Sequence, residues 1–311
     1  MKRVLVTGGA GYIGSILTEN LLNKGYQVSV VDDFRYNETS LNHLVKFKNL
    51  TVINSDVRDF DNYSKAFSSA EIIIPLAALV GAPVVKKRDF DSHTINVNSC
   101  QELFSNSTKD QFFIMPTTNS AYGKGDSNGQ CTEESALLPI SQYAIDKVEL
   151  EKQLFNETSA VSLRLATVFG ASPRMRTDLL VNDFVLRAVR DSVICLFESN
   201  FRRNYVHVQD VSAAIIHMIE NEKNAIGNIF NVGLTEANMT KLQLCERIKE
   251  HVPNLEIVEV PFAKDPDQRD YEVSNEKIEK FGFKTSVSLD DGIAELIKLY
   301  STQRKFHYGN V

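Results

Sequence analysis

The chain has 311 residues, 43% of them apolar, four cysteines and a formal net charge of −6. Its length suits one large α/β domain or a large domain with a smaller companion. The acidic balance and the lack of any basic run argue against nucleic acid and anionic membrane as partners, while leaving room for an anionic small ligand. Cys100, Cys131, Cys195 and Cys245 are scattered without metal-like spacing. That reads as a reduced, cytoplasmic chain with no metal site. Strand-forming residues begin at Lys2, so no signal peptide is expected. The apolar stretch 72–85 is broken by Pro75, Gly81 and Pro83 and is too short to span a bilayer.

Strands are expected at Arg3–Thr7, Gln27–Val31, Thr51–Asn54, Glu71–Pro75, Gln111–Met115 and Ala160–Leu165. Helices are expected between them at 12–24, 39–46, 60–68, 92–107 and 140–157. Runs such as VLV, VSVV and FFIM are almost continuously apolar, as suits strands buried on both faces of a parallel sheet. Past residue 170 the rhythm loosens, with helices at 178–190, 209–220, 240–250 and 289–300 and short strands near 194–197 and 256–260.

The first strand runs into Thr7-Gly8-Gly9-Ala10-Gly11-Tyr12-Ile13-Gly14 and then an amphipathic helix. Three glycines there allow a tight turn, close approach of backbone to a ligand, and close packing of helix on strand. The helix start presents free N–H groups to a pyrophosphate. Asp32, with Asp33 beside it, ends the second strand, eighteen residues past Gly14. A carboxylate there binds both ribose hydroxyls and repels a 2′-phosphate, which favours NAD over NADP, although Arg35 stands close by. Asp56 in NSDVRD, followed by Val57, is open to two readings, an adenine contact or a helix N-cap. The fold class is therefore α/β. A Rossmann-type doubly wound parallel sheet occupies residues 1–170. A smaller C-terminal lobe, mainly 171–311, interleaves with it, since no linker separates the halves.

Tyr143 and Lys147 lie four apart on the helix expected at 140–157, and so share one face. An ammonium one turn from a phenol stabilises phenolate, as a general base requires. His207 in YVHV and His217 on a helical face read as packing residues, and Cys131 as a loop residue able to face a ligand but lacking a basic neighbour. The Asp265, Asp267 and Asp270 cluster, interleaved with Lys264 and Arg269, reads as an ion-paired loop.

With these residues go VTGGAGYIG, SDVRD, LAA, INVN, TTNSAYG, RLATVFG, RRNYVHVQDV and FNVG. Over residues 3 to 300 the chain resembles the extended short-chain dehydrogenase/reductases, the NAD-dependent nucleotide-sugar epimerases and dehydratases. The resemblance implies a nucleotide-sugar substrate, a smaller C-terminal substrate-binding lobe that holds it, and a homodimer paired through the helices near 92–107 and 140–157. It implies cofactor contacts at Leu76, Ala77, Ala78 and Asn96 besides Tyr143 and Lys147. On the substrate side it implies that Thr118 acts with Tyr143 and Lys147, with Asn119 and Ser120 beside it. It further implies a diphosphate contact at Asn182, a diphosphate clamp at Arg203 and a nucleotide contact at Asp267. Thr167 stands where the family has Asn, Pro75 where it often has His, and Lys264 where many relatives have Arg.

Relatives that dehydrate at C5 and C6 carry an Asp-Glu pair after the Ser or Thr, and those that epimerise C3 and C5 place a reactive Cys at the second position. Here the pair is Asn119-Ser120, which leaves redox at C4. LRLATVFGASPRM and DPDQRDYEVSN resemble a narrower group that includes the GDP-manno-heptose 4-dehydrogenases of capsule heptose biosynthesis. The expected activity is C4 oxidation of a GDP-linked heptose or hexose. The alternatives are a UDP-glucose/galactose-type 4-epimerase and a non-catalytic NAD-binding sensor.

Overall fold

The computed structural model describes residues 1–36, 39–80, 89–125, 129–260 and 269–302. Its centre is a sheet of seven parallel strands: β1 (Arg3–Thr7), β2 (Gln27–Asp32), β3 (Leu50–Asn54), β4 (Ile72–Pro75), β5 (Phe112–Thr118), β6 (Ser159–Leu165) and β10 (Ile229–Val232). The spatial order is β10-β6-β5-β4-β1-β2-β3, and each neighbouring pair is parallel. The chain leaves β1 toward β2 and β3 and returns to pair β4 on the other side of β1. That reversal opens a crevice at the carboxyl ends of β1 and β4.

Alternate residues of these strands feed two cores. Val4, Val6, Ile72, Ile74, Ile114 and Leu163 pack on one face with the helices Tyr12–Asn23 and Val208–Glu220. Leu5, Ile73, Phe113 and Met115 pack on the other with Phe104, Leu150 and Leu154. Burial on both faces is why these strands read as unbroken apolar runs.

A third core fills the second lobe, around Phe169, Val181, Val185, Leu244, Ile293 and Leu296. It includes a three-stranded sheet of β7 (Thr167–Phe169), β9 (Arg202–His207) and β11 (Asn238–Thr240), and a parallel pair of β8 (Val193–Leu196) with β12 (Glu256–Glu259). Tyr12 and Ile16 of the first helix belong to this core, and β10 returns to the main sheet.

Several expected elements differ. The helix expected at 39–46 is a single 3-10 turn at Asn42–Leu44. That at 60–68 opens as a 3-10 turn, Phe60–Asn62, before Ser64–Ser69. The helix expected at 92–107 is Asp89–His93, a π-helical turn Thr94–Asn98, and Ser99–Ser105. β7, β10 and β11 are absent from the strands expected at the outset. Each is only three or four residues long, too short for periodicity to declare, and pairing with distant segments makes them strands.

Candidate functional site

The glycine loop leaves β1 with Gly8 in the left-handed region, φ 71°. A Cβ on Gly8 would lie 2.6 Å from the Ala77 nitrogen, and one on Gly14 would lie 2.2 Å from the Gly8 carbonyl oxygen. Both positions require glycine for steric reasons. The helix Tyr12–Asn23 starts without a side-chain cap, so its first-turn N–H groups stay free for an anion. Gly8, Gly11, Tyr12, Ile13 and Gly14 form one wall of a cleft with about 940 Å³ of empty space. Leu76, Ala77 and Ala78, after β4, form another, and Asp32, Asp33 and Val57 close the far end.

Asp32 accepts from the Ala10 and Phe34 amides, each at 3.0 Å, so it buttresses the glycine loop. Burial raises its pKa and those two donors counter the rise. Arg35 lines the cleft, but Asp33 engages its guanidinium (Nε to Oδ2 2.8 Å). Bare backbone, an uncapped helix start and a carboxylate at the end of β2 fit a dinucleotide whose pyrophosphate sits on the helix and whose ribose meets Asp32.

Two expected cofactor residues make contacts within the protein beside the cleft. Asp56 lies between the lining residues Ser55 and Val57. Its carboxylate takes Arg58 Nε at 2.9 Å and Nη2 at 2.6 Å, and these bonds hold its pKa below the usual carboxylate range. It also accepts the Arg58 amide at 2.9 Å, so it closes a local turn and caps no helix. Asn96, buried in the π-helical turn, grips both backbone groups of Leu79: Leu79 N–H to Oδ1 at 2.7 Å and Nδ2 to Leu79 carbonyl at 2.9 Å. It shapes the cleft wall through Leu79 rather than lining it.

Lining residues that were not anticipated include three with long polar side chains. Arg174 and Arg176 reach the cleft from the loop after β7, and Tyr36 from the loop after β2. Arg174 Cζ lies 4.4 Å from the Tyr36 ring centroid, so the two lobes meet across the cleft in a cation–π contact. Two arginines, four and six residues past the Gly170 that follows β7, in SPRMR, were the available signal.

The helix Gln142–Glu157 is capped by Ser141, whose hydroxyl accepts from the Ala144 amide. It carries Tyr143, half-buried, and Lys147, 4% exposed, with Lys147 Nζ 5.9 Å from the Tyr143 ring centroid. This helix packs against the 3-10 turn Asn119–Tyr122 that follows β5. Thr118 caps the turn, its Oγ1 accepting from the Ser120 amide at 3.1 Å and donating to Ser120 Oγ at 2.9 Å. Ser120 Oγ also accepts from the Arg269 guanidinium. Asn119 is fully buried, with no hydrogen-bond partner for either amide atom among the described residues.

Asn182 is buried and knits the β7 loop together, accepting from the Gly170 amide at 3.0 Å and donating to the Arg176 carbonyl at 2.8 Å. Its Nδ2 also donates to the Tyr12 phenol, which in turn donates to the Gly170 carbonyl at 2.7 Å. Arg203 is buried on β9, its guanidinium 5.8 Å from the Tyr271 ring, and Thr167 is half-buried at the start of β7. Asp267, with Lys264 and Asp265, lies outside the described residues. Asp270 pairs with Arg202. Among the described residues no group of His, Cys, Asp and Glu is placed to hold a metal.

His207 is a packing residue: buried, its Nδ1 accepts the Gln209 amide and its Nε2 meets Glu295 at 2.8 Å. His217 packs against Phe281 and Phe283. Cys131, expected on a loop able to face a ligand, is instead 1% exposed among Tyr122, Tyr271 and Val273. All four cysteines are free of disulfides. Burial raises the Cys100 thiol and pushes that of Cys245 up to about 12, so both stay protonated. Among the described residues no helix is long and apolar enough to cross a membrane.

Known proteins match nearly the full length of this chain. A Bacillus subtilis (strain 168) protein named as an uncharacterized UDP-glucose epimerase is 26% identical, over 96% of this chain and 98% of its own. Human dTDP-D-glucose 4,6-dehydratase is 27% identical, over 98% of this chain and 91% of its own. The UDP-glucose 4-epimerase of Thermotoga maritima, solved with UDP-glucose, superposes with a TM-score of 0.84 at 26% identity, over 96% of this chain and 98% of its own. The NAD dependent epimerase/dehydratase family is matched over residues 4–233, and the chain belongs to that family as an NAD-dependent enzyme.

Proposed function

We propose that the enzyme oxidises C4 of a nucleotide-linked sugar, a GDP-linked heptose or hexose, to the 4-keto sugar. NAD, when bound, supplies the hydride acceptor. The glycine loop and Asp32 hold it, and Asn96 keeps the Leu79 segment of the cleft wall in place. Tyr143 takes the C4 hydroxyl proton, Thr118 hydrogen-bonds the same oxygen, and Lys147 supplies the positive charge that favours phenolate. Asn119 stands between Thr118 and Ser120, its amide fully buried and without a partner among the described residues. Arg203 and the backbone near Asn182 hold the diphosphate, Thr167 lies beside the sugar, and Asp267 meets the nucleotide.

The observation that carries this reading is the turn Thr118-Asn119-Ser120. Ser120 is bonded to Thr118 and to an arginine, a group that stays protonated and cannot take a proton. With no acid at 119 or 120, and with Cys131 buried, this turn offers no base for chemistry at C5 and C6. A 4-epimerase, which would return hydride to the opposite face, is the second reading, and near full-length likeness to UDP-glucose 4-epimerases favours it. The test is a screen of UDP-, GDP-, CDP- and dTDP-linked sugars, with product identified by mass and NMR. A GDP-sugar giving a 4-keto product supports oxidation, and a C4-inverted sugar supports the second reading. Absence of both a new sugar product and a change in nicotinamide absorbance, with every sugar, would leave a binding protein.

A further inference from the structure

A buried polar network behind the reacting groups has no part in the proton or hydride transfers above. Tyr143, Lys147 and Glu151 recur every four residues on the helix Gln142–Glu157, so they form one stripe. Glu151 has 6% of its side chain exposed and pairs with Arg164 of β6, which has 4% exposed. Its Oε1 accepts from Arg164 Nη2 at 2.6 Å. Its Oε2 accepts from Arg164 Nε at 3.2 Å, Ser162 Oγ at 2.5 Å and Thr117 Oγ1 at 3.3 Å. Arg164 Nη1 donates to the Tyr122 phenol at 3.1 Å and to the Glu133 carbonyl at 3.1 Å.

Thr117 immediately precedes Thr118, and Tyr122 ends the turn that Thr118 caps. One ion pair therefore joins the helix bearing Tyr143 and Lys147 to both ends of the segment bearing Thr118. Tyr122 is held from its other side by Asn231, to which it donates at 2.7 Å. Stability explains this pair poorly, because desolvation of two buried charges offsets most of their attraction. Geometry explains it better, because small misplacements of reacting groups are costly to rate.

We propose that the Glu151–Arg164 pair is a positioning device that fixes the Thr118 turn against the Tyr143 helix and so sets the geometry in which both meet the sugar's C4 hydroxyl. The inference rests on the roles proposed for Thr118 and Tyr143.

The test is the double variant Glu151→Met with Arg164→Met, full-length and loaded with NAD. It removes both charges and leaves the Thr117 and Ser162 hydroxyls, 3.0 Å apart, to satisfy each other. Melting temperature and NAD affinity should stay near those of the unaltered enzyme. With the nucleotide sugar identified by the screen, kcat should fall about 10- to 100-fold while KM changes less than about threefold. A crystal structure should show the Thr118 turn displaced relative to the Tyr143 helix. Arg164→Lys, which keeps the charge and loses the fork to Tyr122, should fall between the two in kcat and serves if the double variant does not fold. Unchanged kcat, or a variant crystal structure in which the Thr118 hydroxyl and Tyr143 phenol keep their separation to within about 0.5 Å, overturns the inference. If no sugar is active, the proposed reaction fails, and the variant structure alone decides whether the pair positions the turn.

Discussion

At the scale of single residues, Asp32 and Tyr143 carry separable parts of the account. Asp32 buttresses the glycine loop through Ala10 and faces the cleft. Asp32→Ala should weaken NAD binding and relax discrimination against NADP, read by titrating both cofactors. Equal binding of the two by the unaltered protein would defeat the argument. Tyr143→Phe should keep NAD binding and fold but lose turnover about a hundredfold or more, the scale of a general base. Residues whose identity follows from stereochemistry were legible in the sequence. Gly8 and Gly14 admit no side chain, and the four-residue interval of Tyr143 and Lys147 follows from the helix. Residues whose role depends on a distant partner were not. Nothing near Asn96 announces Leu79, and Arg174 meets Tyr36 only after folding. The Arg269 contact with Ser120 was hidden for the same reason.

At the scale of elements, the β1–loop–helix unit is the most constrained. A Cβ at Gly14 would overlap the Gly8 carbonyl, so Gly14→Ala must push the helix Tyr12–Asn23 off β1. It should cost about 3 kcal/mol, the upper end for overpacking a tight site, and should remove NAD binding. Denaturant melts and cofactor titration check both. Central strands were legible because burial on both faces makes them continuous apolar runs. Short strands such as β7 and β11 were not, because pairing defines them. The helix expected at 92–107 forms over 89–105, and the π-helical turn within it, Thr94–Asn98, which apolar spacing does not announce, seats Asn96 against Leu79.

At the scale of the molecule, the two lobes share elements. β10 completes the main sheet from far along the chain, and the C-terminal helix Leu289–Thr302 is tied back by Glu295. Glu295 accepts from His207 Nε2 at 2.8 Å and from the Ala171 amide at 3.0 Å. Burial alone would raise its pKa, but these donors more than offset that and leave it below the ordinary glutamate value. A carboxylate with a lowered folded-state pKa stabilises the fold above its unfolded pKa, and that contribution is lost as pH falls through the folded value. Glu295→Gln should therefore flatten the acid limb of the stability–pH profile below the usual carboxylate range. An unaltered acid limb, measured by urea melts across that range, would contradict it.

The central claim is that chemistry stops at C4, because neither Asn119 nor Ser120 can move a proton at C5. The most direct measurement is incubation with the active nucleotide sugar in heavy water, followed by mass and NMR analysis. Released product incubated alone serves as the control for exchange beside the ketone. The account predicts a 4-keto or C4-inverted sugar with no loss of water and no enzyme-dependent deuterium at C3 or C5. Deuterium at C5 above the control, or a product lighter by one water, would contradict it.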